Sequence, residues 1–357
     1  MRIHFVVWSL ELGGAQASLV RLTDELAHDH EVAITAFSGS GAEFFQLSPK
    51  VTYRSLGPNL AGRGGAVRLA SLVVRWFRLV RTLRAPADVV VSFLYSTTFV
   101  TAPACAVLRR PLVAAERTDL QQRRFRSRWL LLAVYRKMCV LVVVQSDALG
   151  AWLAPRIGPT PVAVIPNAMP DITALPVPVR RGVVALGRFD STKGFDLLVE
   201  AAARMTSGRS VDIYGTGPDG HQLRMLIDKL GVGDRVRLHP PTDNPAVALA
   251  SAEVLAVPSL LDGFPNVVLE AFALSTPVVA TITTGARAID GGTGAVRLVE
   301  RSAAALALAL DATCEDNVAA AEQAARATQR ARAFDRHAIA QQWSAVLEQA
   351  LASANGI

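Results

Sequence analysis

Apolar and polar positions along the chain follow two alternating periods. Short runs rich in β-branched residues, such as Ile3–Trp8 and Val89–Phe93, are typical of buried strands. Between such runs lie segments such as Ala17–Ala27 and Val67–Leu83, where apolar residues recur every three or four positions and predict helices. Strands that alternate with helices predict parallel sheets covered on both faces, which is an α/β fold.

A proline-rich interruption divides this pattern. Residues 166–178 contain four prolines and show no periodicity, which indicates a linker. We therefore predict two Rossmann-like, doubly wound domains that face a cleft, with bounds 1–166 and 179–335. The segment 336–352 is amphipathic and predicts a final helix that packs back on the first domain.

Composition limits the class of protein. The chain has 357 residues, of which 51% are hydrophobic and 19% charged, so it is globular rather than disordered or fibrous. Its three cysteines are widely spaced, which excludes a disulfide scaffold and fits a reducing, cytoplasmic compartment. The uncharged stretch Val89–Leu108 contains serines, threonines and a proline, and it favours a strand, a polar turn and a short helix over a membrane span.

Positive charge is concentrated in the first half of the chain. Residues 50–156 hold 18 Lys and Arg against 4 Asp and Glu. Such a field attracts phosphates, either of nucleic acid or of a lipid surface. Within it, one predicted helix interleaves arginines with apolar residues and suits an anionic membrane surface, unless it faces the core with its arginines merely solvated. The predicted membrane contacts are Arg75, Arg78, Arg81, Arg84 and Trp76.

Three segments carry candidate chemistry. Gly13 and Gly14 lie between the first strand and a helix from about Gln16, a pattern typical either of an anion site or of a tight turn. GRFDSTKG at 187–194 places Arg188 and Lys193 at a strand-to-helix turn, where they would bind a diphosphate or be solvated surface cations.

The third segment is PSLLDGFPNVVLEAFALSTPVVAT at 258–281. Gly263 permits a sharp turn, and Pro265 suits the first turn of a helix. Asp262 then precedes the helix and Glu270 lies about one turn inside it, so that the two acids reach different parts of one ligand. Taken singly, each acid is better explained without a ligand, Asp262 as a helix cap and Glu270 as a solvated side chain.

Together with YGTGP at 214–218, these segments occur in an order that resembles the retaining glycosyltransferases of the GT-B fold, family 4. The resemblance covers nearly the whole chain. VVSFLYST at 90–97, VAAERTD at 113–119 and DGFPNVVLEA at 262–271 look closest to bacterial enzymes that extend polyprenyl-diphosphate-linked oligosaccharides.

The resemblance implies a role for each matching residue. Arg188 and Lys193 stabilise the departing nucleoside diphosphate, Asp262 holds the donor sugar in place of the usual Glu, and Glu270 binds the ribose. Gly14 lies against the donor phosphates or the acceptor. The main chain near His239 frames the base, and Asp262, Arg188 and Lys193 are the expected catalytic set. Further donor contacts are expected from Gly263, Phe264, Asn266 and Val267.

Several expected positions depart from the family. Many relatives have a histidine after the fifth strand, where this chain has Glu116 and Arg117. Either residue is predicted to orient the donor sugar or acceptor, unless Glu116 only forms an ordinary ion pair with a nearby arginine. Asp262 is also one methylene shorter than the usual Glu.

The function implied is transfer of a hexose or N-acetylhexosamine from a nucleotide sugar, UDP favoured, to a lipid-linked saccharide in cell-surface glycan biosynthesis such as that of lipopolysaccharide. No cofactor or metal is expected, because no Asp-x-Asp motif is present. The enzyme is expected at the inner face of the cell membrane, with no nucleic-acid partner. Alternatives are a basic nucleic-acid- or membrane-binding module without activity, or an epimerase or glycogen-type transferase of the same fold.

Overall fold

The computed structural model describes residues 1–10, 13–39, 45–57, 65–121, 127–172 and 179–355. The chain divides into two compact units. Unit 1 comprises Met1–Ala168 with Arg336–Ile357, and unit 2 comprises Met169–Asp335. Each unit is built around one parallel sheet with helices on both faces, as the alternating pattern predicts.

The sheet of unit 1 has seven parallel strands in the order β3-β2-β1-β4-β5-β6-β7. Its strands are β1 (Arg2–Val7), β2 (Glu31–Ala36), β3 (Val51–Ser55), β4 (Val89–Phe93), β5 (Leu112–Ala115), β6 (Leu141–Val144) and β7 (Val162–Val164). Its helices are α1 (Gly14–Leu26), α2 (Gly65–Leu83), α3 (Tyr95–Leu108), α4 (Arg128–Met138), α5 (Asp147–Ile157) and the final helix α13 (Arg336–Asn355).

The sheet of unit 2 has six parallel strands in the order β10-β9-β8-β11-β12-β13. Its strands are β8 (Val183–Leu186), β9 (Val211–Tyr214), β10 (Val236–His239), β11 (Val254–Val257), β12 (Val278–Thr281) and β13 (Arg297–Val299). Its helices are α6 (Phe195–Ala202), α7 (Gly220–Leu230), α8 (Pro245–Ala250), α9 (Asn266–Ala273), α10 (Thr284–Asp290), α11 (Ala303–Glu315) and α12 (Asn317–Ala331).

The final helix completes one of the two cores of unit 1. Trp343 is 1% exposed and its ring lies 6.5 Å from that of Phe5 on β1, while Leu347 is fully buried in the same cluster. Helices α1 and α13 cover this face of the sheet, and α2 to α5 cover the other. Residues at the two ends of the chain therefore share one core, although more than 300 positions separate Phe5 from Trp343.

The uncharged stretch at 89–108 is the buried strand β4, a turn at Leu94 and α3, a helix of 14 residues. The helix is longer than the short one predicted, and Pro103 lies inside it. Among the described residues, no helix has both the length and the apolar character needed to cross a bilayer.

Candidate active site

The carboxyl edge of the unit 2 sheet contains a point where the chain leaves neighbouring strands in opposite directions. β8 continues through α6 to β9, whereas the adjacent β11 continues through α9 to β12. Open α/β sheets bind ligands in the crevice that such diverging connections create. The two loops at this point are 187–194 and 258–265, and they carry five of the predicted site residues: Arg188, Lys193, Asp262, Gly263 and Phe264.

Asp190 organises the first of these loops. Its side chain accepts a hydrogen bond from the Thr192 amide at 3.0 Å, and its carbonyl oxygen accepts one from the Lys193 amide at 3.0 Å. Nε of Arg188 donates to the Asp190 carboxylate at 2.8 Å, although the Arg188 side chain is 72% exposed. Burial alone raises the pKa of Asp190, but hydrogen bonds from Thr192 and Arg188 outweigh it and leave that pKa below its usual range. Because a guanidinium has several N–H donors, this bond leaves others available for an anionic ligand.

Lys193 extends from the first loop to the second. Its Nζ lies 2.6 Å from Oδ2 of Asp262, and the Asp262 side chain is only 10% exposed. Ser259 Oγ donates to the same oxygen at 3.4 Å, and the Gly285 amide donates to the Asp262 carbonyl at 3.0 Å. The cation predicted to bind phosphate and the acid predicted to bind sugar thus form one ion pair, which the sequence analysis did not anticipate.

Glycine allows the two loops to touch through their backbones. Gly194 has a φ of 67°, and a Cβ there would collide with the carbonyl oxygen of Pro258. The Leu260 amide donates to the Thr192 carbonyl at 2.8 Å across the same junction. A side chain at position 194 would therefore separate the loops and pull Lys193 away from Asp262.

The start of α9 lies directly after the second loop. Phe264 is 6% exposed and its ring packs against that of Phe334 with centroids 5.9 Å apart, which fixes the path of the chain between Gly263 and the helix. Asn266 and Val267 form the first turn, where the helix dipole favours an anion. Glu270 is half-buried in the second turn. The structure places these residues in the predicted order, and their contacts with a donor stay predictions.

His239 ends β10 and packs on the neighbouring strand β9. Its Nε2 lies 2.6 Å from Oδ1 of Asp212, and its ring stacks on that of Tyr214 at 4.5 Å between centroids. Its carbonyl oxygen accepts a hydrogen bond from the Gly215 amide at 3.0 Å. A contact between the main chain near His239 and the base of the donor nucleotide stays a prediction. The sequence did not indicate the contacts of His239 with Asp212 and Tyr214.

Gly14 belongs to unit 1. Helix α1 begins at Gly14 itself, two residues earlier than the predicted start near Gln16. It follows β1, which lies beside β4 at the point where the connections of this sheet diverge. The position is the unit 1 counterpart of the Lys193 loop, and the predicted contact with phosphate or acceptor stays a prediction.

Glu116 and Arg117 are both buried in unit 1. Among the described residues, no arginine side chain forms the ion pair with Glu116 that the ordinary alternative predicts. The Glu116 carboxylate accepts hydrogen bonds from the Tyr135 hydroxyl at 2.7 Å and from the amides of Arg117 and Thr118 at 2.9 and 2.7 Å. Burial raises the pKa of Glu116.

The Arg117 guanidinium lies between two aromatic rings. Its Cζ is 5.1 Å from the ring centroid of Phe93 and 5.3 Å from that of Trp343, and Nη1 donates to the Ile165 carbonyl at 3.2 Å. Burial lowers the pKa of Arg117 to about 9. These contacts give both residues a structural role, and an orienting role toward sugar or acceptor stays a prediction.

The predicted membrane face of α2 needs a correction. Arg75 is 6% exposed with its guanidinium 5.4 Å from the ring centroid of Phe37, and Nε1 of Trp76 donates to the Val100 carbonyl at 3.1 Å. Both side chains therefore pack inward, because the apolar positions of this helix direct that face to the core. Arg78, Arg81 and Arg84 are exposed, beside the exposed apolar residues Leu69, Val73 and Phe77.

Metal ligands are not clustered in the part of the chain that the structure describes. No group of three or more His, Cys, Asp or Glu side chains there is arranged to hold a metal ion. All three cysteines are buried thiols. The expectation that the reaction needs no metal stays a prediction.

The chain resembles known proteins in sequence and in fold. Residues 180–316 match the family "Glycosyl transferases group 1". Two Campylobacter jejuni relatives are similar in sequence. One, a GalNAc-α-(1→4)-GalNAc-α-(1→3)-diNAcBac-PP-undecaprenol α-1,4-N-acetyl-D-galactosaminyltransferase, is 24% identical over 76% of each chain. The other, an N-acetylgalactosamine-N,N'-diacetylbacillosaminyl-diphospho-undecaprenol 4-α-N-acetylgalactosaminyltransferase, is 32% identical over 44% of each chain.

Among solved structures, HepE of Anabaena in complex with UDP and glucose superposes with a TM-score of 0.84 and 20% identity, covering 98% of this chain and 100% of HepE. The two parallel Rossmann-like sheets are thus those of the GT-B fold. Unit 2 carries a group 1 glycosyl transferase domain, and the chain is a glycosyltransferase resembling enzymes that act on lipid-linked oligosaccharides.

Proposed function

We propose that this chain is a retaining glycosyltransferase that moves a hexose or N-acetylhexosamine from a UDP-sugar to a lipid-linked saccharide. The observation that carries the proposal is the contact between Lys193 and Asp262 at the diverging loops of unit 2. It brings a phosphate-binding cation and a hydroxyl-binding acid to one point inside the matched domain. The Campylobacter relatives named above support a lipid-linked acceptor, and the UDP and glucose bound to HepE support the donor.

The leaving group determines what the site must supply. A nucleoside diphosphate gains negative charge as the glycosidic bond breaks, so the site needs positive charge near those phosphates. Lys193, the exposed guanidinium of Arg188 and the start of α9 lie on the two loops that meet at this point. We propose that these groups replace a divalent metal, so that chelation with EDTA leaves the transfer rate unchanged.

The anomeric configuration is retained when the acceptor hydroxyl attacks the face of the sugar from which the diphosphate leaves. In this proposal the acceptor hydroxyl forms the new bond to the anomeric carbon as the bond to the phosphate oxygen breaks. The leaving phosphate takes the hydroxyl proton, so no side chain is needed as the base. Proton NMR of the product is expected to show the anomeric configuration of the donor, and the opposite configuration would disprove retention.

The decisive experiment measures donor binding first. UDP-, GDP-, ADP- and dTDP-sugars are each tested for protection against thermal unfolding, and then for transfer to a polyprenyl-diphosphate glycan. We expect protection by the UDP-sugar and its loss in Lys193→Met. The matched control is Lys229→Met, because Lys229 is an exposed lysine of the same unit on α7. Equal protection in both variants, or protection by a short DNA duplex instead, would contradict the proposal.

We also propose that unit 1 binds an anionic membrane surface through neighbouring helices. α2 packs beside α3, and α3 beside α4, on one face of the sheet. These helices expose large apolar side chains next to the arginines of α2, an arrangement that suits a lipid headgroup boundary. The exposed large apolar residues of α2 to α4 are Val67, Leu69, Val73, Val74, Phe77, Val107, Trp129 and Leu130.

Vesicle sedimentation tests this membrane contact. The wild-type protein is expected to bind vesicles that contain phosphatidylglycerol at low salt and to be released as salt rises. Phe77→Ser and Trp129→Ser are expected to weaken binding, whereas Leu308→Ser in unit 2, where Leu308 is 74% exposed, is expected to leave it unchanged. Absence of binding at low salt would refute the membrane contact.

A further inference from the structure

A cavity of unit 2 lies between α8 and the sheet face formed by β8 and β9. Its volume is about 300 Å³, and its lining, as far as the structure describes it, includes none of the residues predicted to bind the donor. Val184 of β8 and Val247 and Ala248 of α8 contribute to an apolar wall. The polar lining residues are Arg181, Asp212, Tyr214, Thr242, Asn244 and Ser251. An apolar wall beside a few hydrogen-bonding groups is typical of a small-molecule site.

Strand β9 departs from the pattern of a buried parallel strand. Val211 and Ile213 are fully buried in the core that α6, α7 and α11 cover, so Asp212 and Tyr214 alternate toward the opposite face, where the cavity lies. β9 lies inside the sheet, between β10 and β8, and such strands are usually apolar on both faces. Polar residues at the inward positions of an inner strand indicate a function more than a packing role.

Contacts among three side chains fix the polar wall of the cavity. Nε2 of His239 lies 2.6 Å from Oδ1 of Asp212, and the His239 ring stacks on that of Tyr214 with centroids 4.5 Å apart. The Asp212 side chain remains 27% exposed, so its carboxylate can accept further hydrogen bonds. Burial and, to a lesser extent, the Asp212 carboxylate raise the pKa of Tyr214, which keeps its hydroxyl protonated and able to donate. The wall thus offers an acceptor and a donor in a fixed arrangement.

The charge of the lining favours a neutral ligand. Among the described residues, its charged side chains are one guanidinium, Arg181, and one carboxylate, Asp212, which balance each other. Thr242 and Asn244 add neutral groups that donate and accept hydrogen bonds. Sugar hydroxyls also do both, and the C–H face of a sugar ring is apolar enough to lie on valine and alanine side chains. A saccharide therefore matches the lining better than a phosphate or a nucleotide does.

The cavity extends away from the loops that carry the predicted donor residues. At its far end the Arg181 amide donates to the Ser251 carbonyl at 2.8 Å, just before β8 begins at Val183. Arg188 and Lys193 follow the other end of β8. The strand has four residues, and at about 3.3 Å per residue its two ends are about 10 Å apart. We therefore expect that a ligand can occupy the cavity while the donor site is filled.

We propose that this α8–β9 cavity binds a neutral hexose or N-acetylhexosamine unit, with Asp212 and Tyr214 hydrogen-bonded to its hydroxyls and its ring face on Val184 and Val247. The unit binds in addition to the sugar of the donor, so the site goes beyond the transfer reaction proposed above. The ring displaces water from the apolar wall, and its hydroxyls replace the hydrogen bonds that water makes with the polar wall. A free monosaccharide and a sugar unit within a glycan both carry this chemistry.

Saturation-transfer difference NMR and isothermal titration of the full chain test the cavity. Both are performed with and without saturating UDP, which fills the donor site and leaves the cavity accessible. The neutral probes are N-acetylglucosamine, N-acetylgalactosamine and N,N'-diacetylchitobiose, and the charged probes are glucuronate and glucose 6-phosphate. We expect the neutral probes to bind more tightly than the charged ones, and UDP to leave their Kd unchanged.

Variants locate that binding. Asp212→Asn is expected to weaken binding of the neutral probes about tenfold, because hydrogen bonds to a charged acceptor are lost. Ala248→Phe is expected to abolish it by filling the apolar part of the cavity, while protection by UDP against thermal unfolding shows that unit 2 still folds. The matched controls, Asp228→Asn on α7 and Ala325→Phe on α12, change exposed residues of the same unit and are expected to leave sugar binding unaltered.

Four outcomes would overturn the proposal or part of it. Binding of the neutral probes that survives in both Asp212→Asn and Ala248→Phe disproves the location. Loss of sugar binding when UDP is added shows that the cavity belongs to the donor site and overturns a separate site. Tighter binding of the charged probes disproves a neutral ligand. If UDP stabilises the protein while no neutral probe binds, the cavity proposal fails and the transferase proposal stands.

The same titrations distinguish the two sources of the sugar. Tighter binding of the disaccharide than of either monosaccharide supports a glycan as the ligand, because a second ring then contacts the protein. Equal affinity for the disaccharide and the monosaccharides supports a single sugar unit.

Discussion

Asp262 is expected to oppose nucleoside diphosphate binding while it supports sugar binding. Its carboxylate lies 2.6 Å from the Lys193 ammonium, which is also the expected phosphate partner. When a diphosphate approaches the other side of that ammonium, the two anions are about 5 Å apart, given two contacts of ordinary charge-assisted length. The change Asp262→Asn removes that repulsion and keeps the size of the side chain.

The size of the repulsion between the Asp262 carboxylate and a bound diphosphate depends on how exposed Lys193 and Asp262 are. Two unit charges about 5 Å apart repel by roughly 3 kcal/mol at an effective dielectric constant near 20 and by about 1 kcal/mol in water. Lys193 is 31% exposed and Asp262 is 10% exposed, so the site lies between these limits. A repulsion of about 1–2 kcal/mol corresponds to UDP binding that is roughly 5- to 30-fold tighter in Asp262→Asn. In Asp262→Asn, a UDP-sugar also loses the hydrogen bonds that its sugar hydroxyls would make to the charged carboxylate, which are worth about 1.5–3 kcal/mol each. The kcat/KM for the UDP-sugar is therefore expected to fall.

Calorimetric titration of UDP and of the UDP-sugar separates these effects. The comparison includes Asp262→Glu, which restores the residue usual in the family, and Asp228→Asn, which removes an exposed carboxylate of the same unit. UDP affinity is expected to rise only in Asp262→Asn. The reasoning is refuted if UDP binds Asp262→Asn no more tightly than the wild type.

Three further changes test other parts of the structure. Glu270→Gln is expected to weaken UDP binding about tenfold but to affect 2′-deoxy-UDP less, because a ribose contact is lost; equal losses in titration would contradict that contact. Ser275 has a φ of 52° in the turn that ends α9, where the Thr276 amide donates to the Ala271 carbonyl at 2.9 Å. Ser275→Gly is therefore expected to raise the free energy of unfolding by about 0.5–1 kcal/mol in urea titration, and a decrease would disprove strain there. Trp343→Ala is expected to lower that free energy by about 3–5 kcal/mol, since the ring is 1% exposed; a loss below 1 kcal/mol would show that α13 is dispensable for unit 1.

The sequence predicts most of the fold because the patterns that encode it are local. Alternating strand and helix periods are enough to predict two parallel sheets, and the bounds of β4 agree with the predicted Val89–Phe93. The start of α1 was predicted two residues late, because the glycine at position 14 looked like part of a turn but forms the first helical residue.

The site is less predictable because its contacts join distant positions. Lys193 and Asp262 are 69 residues apart, and no spacing rule indicates that their side chains meet. No spacing rule indicates the contact between Glu116 and Tyr135 either, which are 19 residues apart. Asp190 is different: Asp followed two residues later by Thr is a common turn signal, and it would have indicated that Arg188 has a carboxylate nearby.

The face that α2 turns to the core was also encoded in its pattern. Arg75 lies four residues before Leu79 and eight before Leu83, both fully buried, so helical periodicity places all three on one side. The membrane contact predicted for Arg75 rested on the charge of the arginines and not on this helical periodicity. Because Trp76 also packs inward, the aromatic residue of α2 that is available to a membrane is Phe77, which is 62% exposed.

Charge counts therefore overstate the field that unit 1 presents to a membrane. The balance of +14 over residues 50–156 includes Arg75 and Arg117, which are both buried and act inside the unit. Arg110 donates to the Ala87 carbonyl at 2.9 Å and so holds a chain turn in place. Since each basic residue near an anionic surface contributes only about 1 kcal/mol, membrane attachment depends as much on exposed apolar side chains such as Phe77 and Trp129 as on net charge.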